Sequence, residues 1–498
     1  MPVGFGHGLL GIPRLCFFLA YQDGRESLLG RPWGKRRERR RLMLANLQHV
    51  AHDLAEAVHR AGGRAFLVGG SVRDKLLGLT PKDADMEVFG LDGEVVESLV
   101  SEFGSVHLIG KQFAVLHVST PHGALEVSLP RRESKTGPGH KGFLVDADPH
   151  MKPAEAARRR DFTVNAMMED PLTGEVIDPF EGKKDLERGC LRHVSDAFSE
   201  DPLRVLRASR FAARFGWSLA RETSALCRTL DLSELPRERL ESEWKDILLH
   251  GRFPGRGLLA MEQTGALAFF PELAALRNVP QDPVWHPEGD VLHHTALCLD
   301  AAVSLREEMA DPWAEMLAIL CHDLGKAVET NFERARWRSA AHDTSGVSLT
   351  RSLLARITAQ EELVVKVGAL VREHLRPSQL WFVKDDVSDS AIRRLAIRVD
   401  IPALIRVAWA DAAGRTMPHP KDWEVGQWLL SRAADLGVKD SAPQPFLRGK
   451  DALELGMKPG KKIGVLLEQA FELQLDGKLE NRDAALQWLS GRFPGGPG

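Results

Sequence analysis

The stretch Leu67–Gly90, LVGGSVRDKLLGLTPKDADMEVFG, decides how the N-terminal part of the chain folds. Just before it, RAFLV ends an apolar run on the paired glycines Gly69 and Gly70, the pattern of a strand that stops at a turn. A helical segment, SVRDKLLG, follows, and then a short strand within KDADMEVFG, Lys82–Gly90. Met86, Val88 and Phe89 give that strand its apolar content. Side chains alternate faces along a strand, so Asp83, Asp85 and Glu87 project the same way. Three carboxylates on one face repel each other and are poor strand formers. Something else must offset that cost.

Working outward, an amphipathic helix carrying Leu47, Val50, Leu54 and Val58 precedes the motif. After it come a helix over Asp92–Phe103 and three strand-like runs, SVHLI, FAVLHVST and ALEVSLP. KTGPGHKG, Lys135–Gly142, reads as a flexible loop. From about Lys183 onward strands nearly vanish and helical periods follow one another, punctuated by Pro and Gly. The expected division is 43–182 for the α/β head and 183–280 for a first helical segment. A His-rich helical region over 281–436 and a C-terminal helical unit over 443–494 complete it.

A chain of 498 residues with 43% hydrophobic and 27% charged residues has ample material for several cores. The five cysteines are scattered without a CxxC pair, which fits a reducing cytoplasm and argues against a zinc knuckle or a disulfide framework. A net charge of −3 advertises no nucleic-acid binder, so any such surface must be a local patch. No apolar run reaches membrane-spanning length. In residues 1–42, LCFFLAY comes before KRRERRR, the reverse of a secretory signal, and an Arg-rich transit peptide is the alternative. The expectation is that translation starts at Met43 and that 1–42 is poorly ordered.

Strand, Gly69-Gly70-Ser71, helix is a physical recipe for holding phosphate, because glycines admit close backbone approach and a helix start offers free N–H groups. Alone such a turn usually only closes a strand–helix corner. Asp83 and Asp85 directly downstream strengthen it, since two carboxylates on one strand face can share a pair of Mg²⁺ ions. That would neutralise their repulsion and equip the site for nucleotidyl transfer; the alternative is a solvated acidic edge strand.

Together with RRRDFTVNAMM (Arg158–Met168), SEDPLRVLRASRFAARFGW (Ser199–Trp217) and RERLESEWKDILL (Arg237–Leu249), the motif resembles the class II nucleotidyltransferases. That family comprises CCA-adding tRNA nucleotidyltransferases and bacterial poly(A) polymerases. The resemblance covers most of Phe66–Leu249 and implies a small mixed sheet with helices, an α+β head, on a long all-α body. It implies that Asp83 and Asp85 bind Mg²⁺ and that Glu126, on a separate strand, is the third carboxylate. Gly69, Gly70, Ser71 and Arg73 would hold triphosphate, and Arg160, Asp161 and Asn165 the nucleotide's sugar and phosphates. Asp201 and Arg204, at i, i+3 on one helix face, would read the base edge, with Arg207 and Arg210 on the next turns. An i, i+3 surface salt bridge is the alternative. Glu87 is left to pair with a basic residue near Arg131. The chain departs from many relatives at EAAR, Glu155–Arg158, a few positions before the RRDFT motif, where they carry an acid.

Farther on, His294, His322, Asp323, His342, His374 and Asp411 arrive in the order H…HD…H…H…D, which resembles the HD-type metal-dependent phosphohydrolases. A lone His on an apolar helix is usually a core residue; the full set points to a one- or two-metal site holding Mg²⁺ or a divalent transition metal. Lys326 is close enough in sequence to bind a phosphate oxygen, and phosphatase or 2′,3′-cyclic phosphodiesterase activity is implied. Lys450, Lys458, Lys461 and Lys462 flank a PG turn that faces either RNA or solvent. The expected activity is template-independent addition of CCA to tRNA from CTP and ATP in the cytoplasm. The competing readings are a poly(A) polymerase, a CC-only or A-only enzyme, a phosphohydrolase with a vestigial head, and a non-catalytic RNA-binding module.

Overall fold

The computed structural model describes residues 33–81, 84–109, 115–135, 143–417 and 423–492. Asp83, most of the KTGPGHKG loop and residues 1–32 therefore lie outside the described residues. The chain forms two compact units. The first draws on residues up to Ser134 with Leu144–Ala157 and Asn165–Phe180, the second on Arg158–Val164 and the chain from Glu181 onward.

The first unit is a mixed sheet carrying helices. Its elements are α1 (Trp33–Arg60), β1 (Arg64–Val68), α2 (Gly70–Leu76), β2 (Ala84–Phe89), α3 (Gly93–Ser101), β3 (Ser105–Ile109), β4 (Val115–Thr120) and β5 (Gly123–Ser128). A ribbon, β6 (Arg131–Lys135) with β7 (Phe143–Ala147), and two short strands, β8 (Met168–Glu169) and β9 (Val176–Ile177), follow. The seven-stranded order is β3-β4-β5-β2-β1-β8-β9, and β2 runs parallel to β5 between antiparallel neighbours. α1 begins at Trp33, upstream of the Met43 start read from the sequence, because the Lys, Arg and Glu residues between are good helix formers.

Strand alternation sorts the sheet into two faces. Met86, Val88, Val127, Leu116 and Val118 bury one face in a core shared with Leu47, Ala51, Leu54 and Val58 of α1 and Val96 and Val100 of α3. Burying a side chain of this size is worth about 1.5–3 kcal/mol, so this face fixes the register. A one-residue slip of β2 would bury Asp85 there and expel Met86.

From Gly182 the second unit is almost wholly helical. One core runs from Phe162, Trp244 and Leu258 through Leu299 and Leu320 to Leu404 and Leu429, with a smaller cluster of Leu447, Leu466 and Leu489 near the C-terminus. Helices Pro254–Thr264 and Val291–Ala302, on either side of the Pro280 boundary read from the sequence, pack directly. A Cβ on Gly255 would stand 2.1 Å from the Ala296 carbonyl oxygen, so only glycine permits this approach. An exposed hairpin, Thr330–Glu333 with Arg336–Ser339, turns through Arg334 and Ala335, both at positive φ (52° and 61°).

Candidate active sites in the head and the body

In the head, Gly69 turns β1 into α2 at φ 70°, ψ −131°, a conformation that disfavours any side chain. Ser71 locks the corner by donating its Oγ hydrogen to the Val68 carbonyl at 2.8 Å. Asp85 is the direct register partner of Glu126 on β5, and Glu126 in turn faces His117 on β4. Register partners project from the same face, so Asp85 and Glu126 are neighbouring carboxylates on the face away from the core. Glu87 shares that face two residues along but is fully buried, and it has a partner. The two differ in burial: Glu87 is enclosed, whereas Asp85 is half-buried and Glu126 exposed.

Arg73 is buried, its guanidinium donating to Asp74 Oδ1 at 2.9 and 2.6 Å and to Asn165 Oδ1 at 2.6 Å. The predicted phosphate ligand and one predicted nucleotide contact thus brace each other at the base of the turn. Lys75 pairs with Glu169 beside them.

The other predicted nucleotide contacts lie in the second unit. Arg207 donates Nε and Nη2 to Asp161 Oδ2 at 2.8 and 2.6 Å, while Asp161 Oδ1 accepts the Phe162 N–H. Arg210 reaches Glu243 at 3.2 Å and Asp246 at 3.1 Å, and burial pushes the Glu243 carboxyl up in pKa despite that cation. Arg160 is half-buried nearby in sequence. One expectation is corrected. Asp201 is not on the helix face of Arg204: it is extended (φ −121°, ψ 102°), ahead of Pro202, and helix Leu203–Phe215 begins after it. Pro favours the first positions of a helix and Asp favours its cap, so Asp201 instead accepts the Leu203 N–H at 3.1 Å. Its other oxygen accepts from Arg239 at 2.8 Å. Arg204 donates to the carbonyls of Ala197 and Arg159 at 2.6 and 2.7 Å.

All six residues of the HD pattern converge in one buried cluster. His322, His342 and His374 each hydrogen-bond through Nδ1 to the carbonyl three residues earlier, at 2.7, 2.7 and 2.6 Å. A carbonyl only accepts, so each Nδ1 carries a proton and each Nε2 is turned inward. His294 Nδ1 is held in the same way by Glu288 at 2.7 Å. Two Nε2 atoms, of His342 and His374, stand 3.4 Å apart, an arrangement of lone pairs that calls for a cation between them. Asp323 lies between two donor groups: Oδ2 is 3.2 Å from His322 Nε2 and 3.7 Å from His294 Nε2, and Oδ1 is 3.3 Å from His342 Nε2. Asp411 completes the His294 side at 3.1 Å.

His322 Nε2 is buried with no aligned hydrogen bond, its nearest carboxylate oxygen being Asp323 Oδ2, which is itself ion-paired with Lys326. Donors around a tetrahedral ion stand about 3.4 Å apart, so the set fits one or two divalent ions. Burial works against a charged His322, yet Asp323 and Cys298 together pull its pKa up to about 10. The cluster therefore seeks positive charge. Lys326 Nζ lies 2.7 Å from Asp323. A cleft of about 350 Å³ opens onto the cluster, rimmed by Lys326, Arg336, Arg338 and Arg415 with the exposed Trp285 and Trp337. Sequence reasoning missed Glu288, Cys298 and this hairpin rim. An acid six residues before His294 and a thiol four after it are the signals that would have found the first two.

Residues 65–192 match the family model of the poly A polymerase head domain. The chain is 38% identical over 368 residues to a multifunctional CCA protein of Xanthomonas campestris, spanning 71% of this chain and 85% of that one. It is 36% identical over 422 residues to the protein of that name from Alcanivorax borkumensis, spanning 81% and 96%. A solved structure of the Bacillus stearothermophilus CCA-adding enzyme in complex with CTP shares the fold, with a TM-score of 0.57 at 23% identity over 89% of this chain and 97% of that one. Head motif, helical body and relatives agree, and the chain belongs to the family of multifunctional CCA proteins.

Proposed function

We propose that this protein adds C, C and A to the 3′ end of tRNA, without a nucleic-acid template, from CTP and ATP. The observation that carries the reading is the register pairing of Asp85 with Glu126 beside the Gly69 turn, in a chain 38% identical to a multifunctional CCA protein. Asp85 and Glu126, with Asp83, would hold Mg²⁺, which when bound offsets charge on the phosphates and lowers the pKa of the attacking hydroxyl. The tRNA 3′ oxygen bonds to the α-phosphorus as the bond to the bridging oxygen breaks. Pyrophosphate leaves, and the hydroxyl proton passes to solvent. Ser71 and the backbone of the Gly69–Gly70 turn receive the triphosphate, and Arg73 holds Asn165 in place for the sugar. Arg160 and Asp161 are assigned to nucleotide contacts as well, with Arg207 holding the Asp161 carboxylate and Arg210 paired to Glu243.

Base choice falls to Asp201, which accepts from an exocyclic amine, and Arg204, which donates to ring acceptors. Both are engaged within the protein, so an incoming base must share or displace Arg239 and the two carbonyls. Incubating the protein with tRNA lacking its terminal CCA and each nucleotide singly tests this. Two C residues from CTP alone and one A only after them are expected; long tails from ATP alone would favour a poly(A) polymerase.

The histidine cluster supports a second reaction, hydrolysis of a phosphate ester. His294, His322, Asp323, His342, His374 and Asp411 would hold one or two divalent ions, which supply Lewis acidity and a reactive water when bound. Lys326 and the arginine rim bind phosphate, and Trp285 and Trp337 offer faces for a base, so a nucleotide or an RNA 3′ end bearing a phosphate is the fitting substrate. His322→Ala with Asp323→Ala should abolish phosphate release and leave CCA addition intact; the reverse result would mean a vestigial head. The C-terminal lysines Lys450, Lys458, Lys461 and Lys462 are assigned to tRNA phosphate contacts, and the cytoplasm is the site of action. Among the described residues no helix is long and apolar enough to cross a membrane.

A further inference from the structure

We propose that Cys298 is a thiolate ligand of the histidine centre, giving it a His/Asp/Cys donor set that selects a thiophilic ion over Mg²⁺. The inference rests on reading the cluster as a metal centre. Cys298 lies one helical turn after His294 on helix Val291–Ala302, so the two side chains share a face. Its Sγ is 3.3 Å from His294 Nε2, a hydrogen bond in the metal-free protein and a few tenths of an ångström short of the spacing of a sulfur and a nitrogen on one tetrahedral ion, about 3.6 Å. Sγ, His294, His322 and Asp411 offer ligand atoms all within 4.8 Å of one another.

The second observation is independent of the thiol. His322 is 1% exposed, and its Nε2 points into this group with no aligned hydrogen bond, 3.2 Å from the Asp323 carboxylate. Such an atom is costly to bury unless something binds it. The surrounding fold also makes room for the sulfur. A Cβ on Gly414, at the end of helix Ile401–Gly414, would lie 2.3 Å from Cys298 Sγ. The other described thiols, Cys190, Cys227 and Cys321, belong to no such donor group.

On ion binding the S–H bond breaks, a sulfur–metal bond forms and the proton passes to solvent. No redox partner is required. Thiolate is a soft donor that favours Zn²⁺, Co²⁺, Ni²⁺ or Fe²⁺, whereas Mg²⁺ prefers oxygen. The thiolate adds a third anionic donor to Asp323 and Asp411, on the His294 side of the centre.

The test strips the full-length protein of metal, loads Co²⁺ and records the absorption spectrum with the bound metal counted. Wild type and Cys321→Ser should show a near-ultraviolet sulfur-to-cobalt charge-transfer band. Cys298→Ser and Cys298→Ala should lose that band and keep bound cobalt, with the preference for Zn²⁺ over Mg²⁺ falling about tenfold or more. A band unchanged in both Cys298 variants, or cobalt bound without any band in wild type, overturns the proposal and leaves the metal centre standing. Wild type that binds no cobalt overturns both. The serine variant is near-isosteric, and matching circular dichroism spectra separate ligand loss from misfolding.

Discussion

Asp300→Asn should stabilise the protein at neutral pH and do nothing at acid pH. Asp300 Oδ1 accepts the Gly255 N–H at 2.8 Å where helices Pro254–Thr264 and Val291–Ala302 meet. Burial raises its pKa from the ordinary 3.8 to about 6, with the Gly255 hydrogen bond, Arg256 and Arg306 only partly offsetting it. The folded carboxyl thus holds its proton to higher pH than the unfolded one. Its stabilising contribution is complete below about pH 4 and is lost as pH rises through about 6. The two-unit shift corresponds to about 3 kcal/mol as an upper figure, at 1.36 kcal/mol per unit. Asparagine keeps an acceptor for Gly255 and carries no charge. Its gain should therefore appear between pH 4 and pH 6.5 and level off above, reaching about 1–3 kcal/mol, or roughly 1–2 °C per kcal/mol in a chain of this size. Thermal unfolding of both proteins across that range measures it. A difference that is constant with pH, or a destabilised asparagine variant at pH 7.5, would refute the reasoning.

Replacing Asp85 by Asn should lower nucleotide incorporation by a factor on the order of 10³, and Glu126→Gln should follow in the same direction, read from single-turnover extension of tRNA. Arg239→Ala removes the cation that holds Asp201 at 2.8 Å, so the ratio of CTP to ATP incorporation should shift by about tenfold while folding is retained. Chelator treatment followed by readdition of Mg²⁺ alone should restore tRNA extension but not phosphate release. Refilling the histidine centre at a hundredfold excess over its dissociation constant should raise stability by about 2.7 kcal/mol, visible in the melting temperature.

The head was legible because its strands alternate cleanly and two glycines mark the turn; Met86 and Val88 could only face the core one way. What the alternation could not tell apart was Asp85 from Glu87, since both project from one face and their difference in burial is set by tertiary packing, which leaves no mark on a strand's period. The hairpin at Thr330–Ser339 was missed for a different reason. Its side chains are mostly exposed, leaving no buried periodicity, and its turn uses Arg334 and Ala335 instead of the usual Asn-Gly. Asp201 was placed on a helix because i, i+3 spacing looks helical even when Pro202 starts the helix one residue later. The histidine cluster was legible as an order of residue types. The tautomers were not, because the carbonyls of Ile319, Ser339 and Val371 that set them belong to no side-chain pattern.

The unbroken core between residues 183–280 and 281–436 ties the two regions into one melting unit. The helix bearing Arg204, Arg207 and Arg210 packs in the same apolar mass as the helices bearing His294 and Asp411. Cutting the chain after Pro280 would bare Leu258, Met261 and their partners to water, so the arginine face cannot be expressed alone as a folded piece. Any ion that tightens the histidine cluster also deepens the free-energy well in which the helix Leu203–Phe215 sits. Metal supply in the cell would then set how much of this protein survives to work on tRNA at all.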